Sequence, residues 1–189
     1  MFFTVIFFCL VALLVALALL GGITWASIME WCVHRYIMHR RISWFSYPFE
    51  KHALVHHRVF GSNHTYHLID EKDKKTIPMA WWNGPALIIT ATSPFILIGL
   101  VLGLSLSWWL AAVSLSLIIG TVCAGYYGAY EYLHWCMHLP NGRWFEDTRV
   151  FQWLDRHHLL HHKWQGKNLN VVCPIADYFF GTLVFASEH

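Results

Sequence analysis

Four histidines occupy the six positions 157–162, in "HHLLHH". Crowded histidines are costly, because protonated neighbours repel and buried neutral rings still need hydrogen-bond partners. Three other stretches repeat the theme: "HRYIMH" (34–39), "HALVHH" (52–57) and "HWCMH" (134–138). Thirteen of the 14 histidines fall within 34–67 and 134–162, and His189 is the remaining one. Imidazole is a good ligand for iron, zinc, copper or nickel and a poor one for magnesium or calcium. Paired histidines in several segments therefore point to a transition-metal site.

Spacing suggests how the rings are shared. On an α-helix, residues three or four apart lie on one face. His52 with His56, His134 with His138, and His158 with His161 form such pairs, with His57 and His162 offset. His34 and His39, five apart, point in different directions or straddle a helix end. An aligned pair plus an offset neighbour suits two ions a few ångströms apart, the pair holding one and the odd ring reaching the other. The expected ligands are His34, His39, His52, His56, His57, His134, His138, His158, His161 and His162. His157 and the loop residues His64 and His67 are weaker candidates. Carboxylates can hold ligand tautomers through the second ring nitrogen. Glu30, Glu131 and Asp177 are the candidates for that role, with Asp155 behind them.

The elements that must position these rings are membrane spans. Of the 189 residues, 57% are hydrophobic and 13% charged, and the mean hydropathy is +0.43. Residues 2–28 carry no charge, and a second uncharged run extends from Met79 to Tyr130. About 20 apolar residues cross a hydrocarbon core of about 30 Å. The first run is thus one span, and the second is two joined by a turn at Gly103 to Ser107. Trp81 and Trp82 suit one interface, Trp108 and Trp109 the other. The first run lacks a basic leader and exceeds the usual apolar length of a cleaved signal peptide, so a permanent span is expected. The five cysteines form no CxxC pair and read as small apolar residues.

All 13 Lys and Arg lie within Arg35–Lys75 or Arg143–Lys167, which three spans place on one side. The positive-inside rule makes that side cytoplasmic. The histidine windows fall on it as well. A net charge of +2 gives no reason to expect a nucleic-acid partner, whereas anionic headgroups suit this basic face. The expected fold is all-α: an integral-membrane helical bundle, spans at about 2–28, 81–103 and 108–130, under a helical cytoplasmic cap formed by 31–78 and 134–182. The chain reads as one multi-pass membrane domain, in a bacterial inner membrane or an endoplasmic reticulum. Transport of metal would need polar ligands at mid-membrane depth, and the spans offer no His, Asp or Glu there.

The four histidine stretches, taken with the tail "NLNVVCPIADYFFGT" (168–182), resemble the fatty acid hydroxylase superfamily of integral-membrane enzymes, which includes sterol oxidases and desaturases. Residues 30–182 carry the resemblance. "HALVHH" departs from the core pattern by one extra residue between its histidines. The resemblance implies a pair of iron ions (zinc being a possible occupant after purification) that activates O2 to oxidise a lipid C–H bond. A fatty acyl chain is the first expectation. A carotenoid hydroxylase or a sterol oxidase or desaturase is the alternative. No flavin or nucleotide motif is visible, so a separate electron donor of ferredoxin or cytochrome b5 type is expected.

Overall fold

The computed structural model describes residues 2–102 and 106–185. Among them every regular element is helical. α1 (Phe2–Val33) continues into a π-helical turn, His34–Met38. A second helical stretch joins α2 (Tyr47–Phe49), a π-helix over Glu50–His56, and α3 (His57–Val59). A short 3-10 helix, Glu71–Thr76, follows the loop that carries His64 and His67. Then follow α4 (Asn83–Leu102), α5 (Leu106–His138), α6 (Arg149–Lys163) and α7 (Ile175–Phe179). The expected turn at 103–107 falls mainly outside the described residues.

Three helical stretches are long and apolar enough to cross a membrane: Thr4–Met38, Asn83–Val101 and Trp108–His138. The first and third run on past their uncharged stretches, through Glu30 and Glu131 to the histidines. A charge ends the apolar run but does not end the helix, because Glu is a good helix former.

The chain divides into two compact units. Residues 1–26 and 82–127 form the first. Its side chains are apolar and outward-facing, as at Phe8, Leu14, Ile89 and Leu117, which suits lipid rather than water. Its hydroxyls bond back to their own helices: Thr90 to the Ala86 carbonyl, Thr92 to Ile88, Ser116 to Ala112 and Thr121 to Leu117. That satisfies each polar group without water. Small residues allow close helix approach. A Cβ added at Gly99 would lie 2.6 Å from the Ala112 side chain. Trp25 Nε1 donates to the Ala91 carbonyl at 2.9 Å.

Residues 27–81 and 128–189 form the second unit, which contains all the candidate ligands. α6 is set by Thr148, whose hydroxyl caps the helix by accepting from Phe151 N–H. Its buried face carries Phe151, Leu154, His157, His158, Leu160, His161 and His162. Tyr66, Tyr130, Cys136, Met137, Phe151, Leu154 and Val171 form an apolar cluster in this unit. None of the five cysteines forms a disulfide, and Cys123 and Cys136 are buried.

Candidate metal centre

Ten histidines converge in two groups of five. The first is His34, His39, His52, His57 and His161; the second is His56, His134, His138, His158 and His162. Within each group the possible ligand atoms all lie within 4.8 Å of one another. Nine of the ten rings are buried, and His39 is partly buried.

The nitrogens that approach one another are Nε2 throughout. In the first group the Nε2 atoms of His34 and His52 are 2.8 Å apart, those of His52 and His57 3.1 Å, His57 and His161 3.1 Å, and His39 and His161 3.2 Å. In the second, His56 and His134 are 3.2 Å apart, His138 and His158 3.2 Å, and His158 and His162 3.0 Å. Several opposite nitrogens are occupied. His34 Nδ1 meets the Leu169 carbonyl at 2.5 Å, and His161 Nδ1 the Lys167 carbonyl at 2.9 Å. His56 Nδ1 meets Thr76 O at 3.3 Å, His138 Nδ1 meets Tyr66 O at 2.8 Å, and His162 Nδ1 meets Phe60 O at 2.5 Å. A carbonyl only accepts, so each of these rings donates from Nδ1–H and carries its lone pair on Nε2. The Nδ1 atoms of His57 and His158 have no such partner.

Facing lone pairs about 3 Å apart repel unless a proton or a metal cation lies between them. Metal–nitrogen bonds of about 2.1 Å put neighbouring ligands about 3.0 Å apart at right angles and about 3.4 Å apart in a tetrahedron. The observed 2.8–3.2 Å matches the right-angled arrangement better. Five nitrogens at right angles fill all but one position of an octahedron. The residues therefore fit a pair of transition-metal ions.

Burial favours the neutral rings that metals require. It pulls His39 down to about 4, helped by the nearby His162 and opposed by a hydrogen bond with Gln165. Burial, reinforced by neighbouring imidazoles, holds His52, His56, His158 and His161 well below the ordinary histidine range.

The grouping differs from the expected pairs. His134 and His138 do share a group. His52 and His56 do not: His52 joins His57, and His56 goes to the other group. The cause is the π-helix, in which hydrogen bonds run i→i+5 and residues five apart come round to the same side. His57 N–H bonds the His52 carbonyl, and His39 N–H bonds that of His34. Each i,i+5 histidine pair is thus spanned by its own π-type bond, and His34 and His39 share a group. On α6, His158 pairs with His162 while His161 turns to the first group. An i,i+4 pair is separated by less rotation than an i,i+3 pair.

The carboxylates also differ. Glu30 accepts from Val171 N–H at 2.7 Å and from the Asn170 amide at 2.9 Å, so it holds the tail. Asp177 accepts from His157 Nε2 at 3.2 Å, and His157 belongs to neither group. The His157 ring stacks on Trp153 instead. Backbone carbonyls take the expected place of carboxylates on the converging rings, since buried loops supply acceptors without adding charge. Asp155 accepts from the Tyr66 hydroxyl at 2.9 Å. His64 and His67 are exposed and join neither group.

Glu131 lines a cavity of about 190 Å³ together with His52, His56 and His134. The cavity thus touches both groups. Tyr47, Tyr130, Lys51 and Lys75 form part of its wall.

Comparison with protein-family models, with curated proteins and with solved structures gives no match. The chain is thus described by what it contains: helices fit to span a membrane, and two buried sets of imidazoles able to hold metal ions.

Proposed function

We propose that this protein is a membrane-bound oxygenase that holds two iron ions in its histidine groups and hydroxylates a lipid, a fatty acyl chain being the favoured substrate. The observation that carries the reading is the paired set of five inward Nε2 atoms. A structural zinc site is tetrahedral and closed with four ligands. Five imidazoles with one octahedral position left over suit iron that must also meet O2. Iron bound there supplies the reduction of O2 and the oxidation of a C–H bond. The balance is R–H + O2 + 2 electrons + 2 protons → R–OH + water, and a separate ferredoxin or cytochrome b5 donor supplies the electrons.

The chain's own residues have three tasks. The carbonyls of Lys167, Leu169, Phe60, Tyr66 and Thr76 orient rings so that lone pairs face inward. Burial keeps water from the rings. The cavity beside His52, His56 and His134 gives a substrate carbon a route to both groups. The basic residues favour a cytoplasmic position for the groups.

The test combines metal analysis of the purified protein with lipid mass spectrometry of cells with and without it. Two non-haem iron ions per chain, and a lipid that gains one oxygen derived from 18O2, support the reading. A haem absorption band, or metal without any oxidised lipid among acyl, sterol and carotenoid classes, would sink it.

A further inference from the structure

Asp177 is fully buried, and both of its oxygens are in use. Oδ1 accepts from Leu169 N–H at 2.9 Å and from the Thr182 hydroxyl at 2.6 Å. Oδ2 accepts from Asn170 N–H at 2.8 Å and from His157 Nε2 at 3.2 Å. Burial alone would raise this carboxyl, but the hydrogen bonds from His157, Thr182 and the two backbone amides outweigh it and hold it below the usual range. It is a carboxylate wrapped by donors, on a segment that approaches the first histidine group.

What the carboxylate fixes is a short run of backbone. Leu169 gives its N–H to Asp177 and its carbonyl to His34. Two residues earlier, the Lys167 carbonyl takes His161 Nδ1–H. Asn168 stands between them at φ +50°, a left-handed conformation that Asn tolerates better than most residues. Its side chain is tied to the His157 and Val184 carbonyls and to Val184 N–H. Gly181, at φ +66°, turns the chain so that Thr182 returns to Asp177. Thr182 also accepts from Trp31 Nε1 on α1 at 2.8 Å. The second group draws its carbonyls from Phe60, Tyr66 and Thr76, none of which lies on this segment.

We infer that Asp177 is the positioning residue of the first histidine group: it fixes the carbonyls that aim His34 and His161, so that this group depends on it for metal while the second does not. This rests on the metal-binding reading above. An asparagine at 177 keeps one acceptor oxygen and loses the other, so it cannot serve Asn170 N–H and His157 together with Leu169 and Thr182.

The experiment measures iron or cobalt bound per chain by the full protein in lipid nanodiscs, with helix content followed by circular dichroism. The unsubstituted chain binds two ions and Asp177→Asn binds one, at unchanged helix content. Adding His158→Ala to Asp177→Asn removes the remaining ion, whereas adding His161→Ala does not. Two ions retained by Asp177→Asn, both lost together, or the remaining ion lost with His161→Ala would each overturn the assignment. Should Asp177→Asn not fold, Thr182→Val decides: affinity at one of the two sites falls by about 10–100-fold, the range for partners of a ligand, and equal weakening at both refutes the inference. An unsubstituted chain that takes up no metal refutes the metal reading itself and this inference with it.

Discussion

The two histidine groups hold the same number of rings but are built differently. The first uses two π-helical pairs, His34 with His39 and His52 with His57, and takes its carbonyls from the tail at Lys167 and Leu169. The second uses two ordinary i,i+4 pairs, His134 with His138 and His158 with His162, and takes its carbonyls from residues 60–76. The two tripled stretches nevertheless obey one rule. In "HALVHH" and in "HLLHH" the outer histidines share a group and the penultimate one goes to the other. One extra residue in the first stretch is absorbed by the wider turn of the π-helix. What must be kept is the rotation between rings, and different counts of residues can deliver it.

The largest expected effect comes from removing a ring. His52→Ala should empty the first group and His138→Ala the second, each lowering lipid oxidation by at least about a hundredfold, beyond the range for outer partners. His64→Ala should leave stability within about 0.5 kcal/mol and metal content unchanged. Metal analysis beside turnover checks all three, and equal behaviour of His52→Ala and His64→Ala breaks the grouping.

Acidification comes next. His39, His52, His56, His57, His158, His161 and His162 are held below their ordinary value of 6.5, so protons favour the unfolded or metal-free chain. Their contribution is fully present above pH 6.5 and is lost as pH falls, for His39 between 6.5 and about 4. Melting temperature and bound metal should therefore both drop across that window. A flat profile between pH 7 and pH 4 contradicts the buried neutral rings.

A smaller effect is expected at His157, which bonds Asp177 and belongs to neither group. His157→Phe should cost about 1.5–3 kcal/mol, the scale of a hydrogen bond to a charged group, while both metals stay. Denaturant unfolding with metal counting checks it, and loss of both ions would place His157 among the ligands.

The smallest effect is expected from deleting Ala53. That shortens "HALVHH" to the spacing of "HLLHH", and an α-helical turn then aligns His52 with His57. Metal affinity should stay within about tenfold, less than loss of a ligand's partner. Loss of both ions on deletion would show that the π-helix does more than set rotation.

The sequence made the converging rings legible because imidazoles are rare in an apolar chain and their spacing repeats. The same ten rings stand together in the structure. Their pairing was not legible, because the rotation assumed for every segment was that of an α-helix, and nothing in "HRYIMH" or "EKHALVH" announces a wider turn. The partners of Nδ1 were hidden for another reason: a backbone carbonyl is the same at every position, so Leu169 or Tyr66 carries no mark of its role. The carboxylates drew attention by their charge, yet Glu30 and Asp177 act on the tail backbone. The uncharged runs marked the three helices that are long and apolar enough to cross a membrane, and the first and third of them continue past those runs to the histidines.

The dependence of the first group on residues 167–182 also sets an order of events. A ribosome completes His162, and with it every ring of the second group, before it reaches Asp177. By then the first group has all its rings too and lacks only the chain that braces it, so its assembly closes with the tail, whereas the second group takes none of its carbonyls from there.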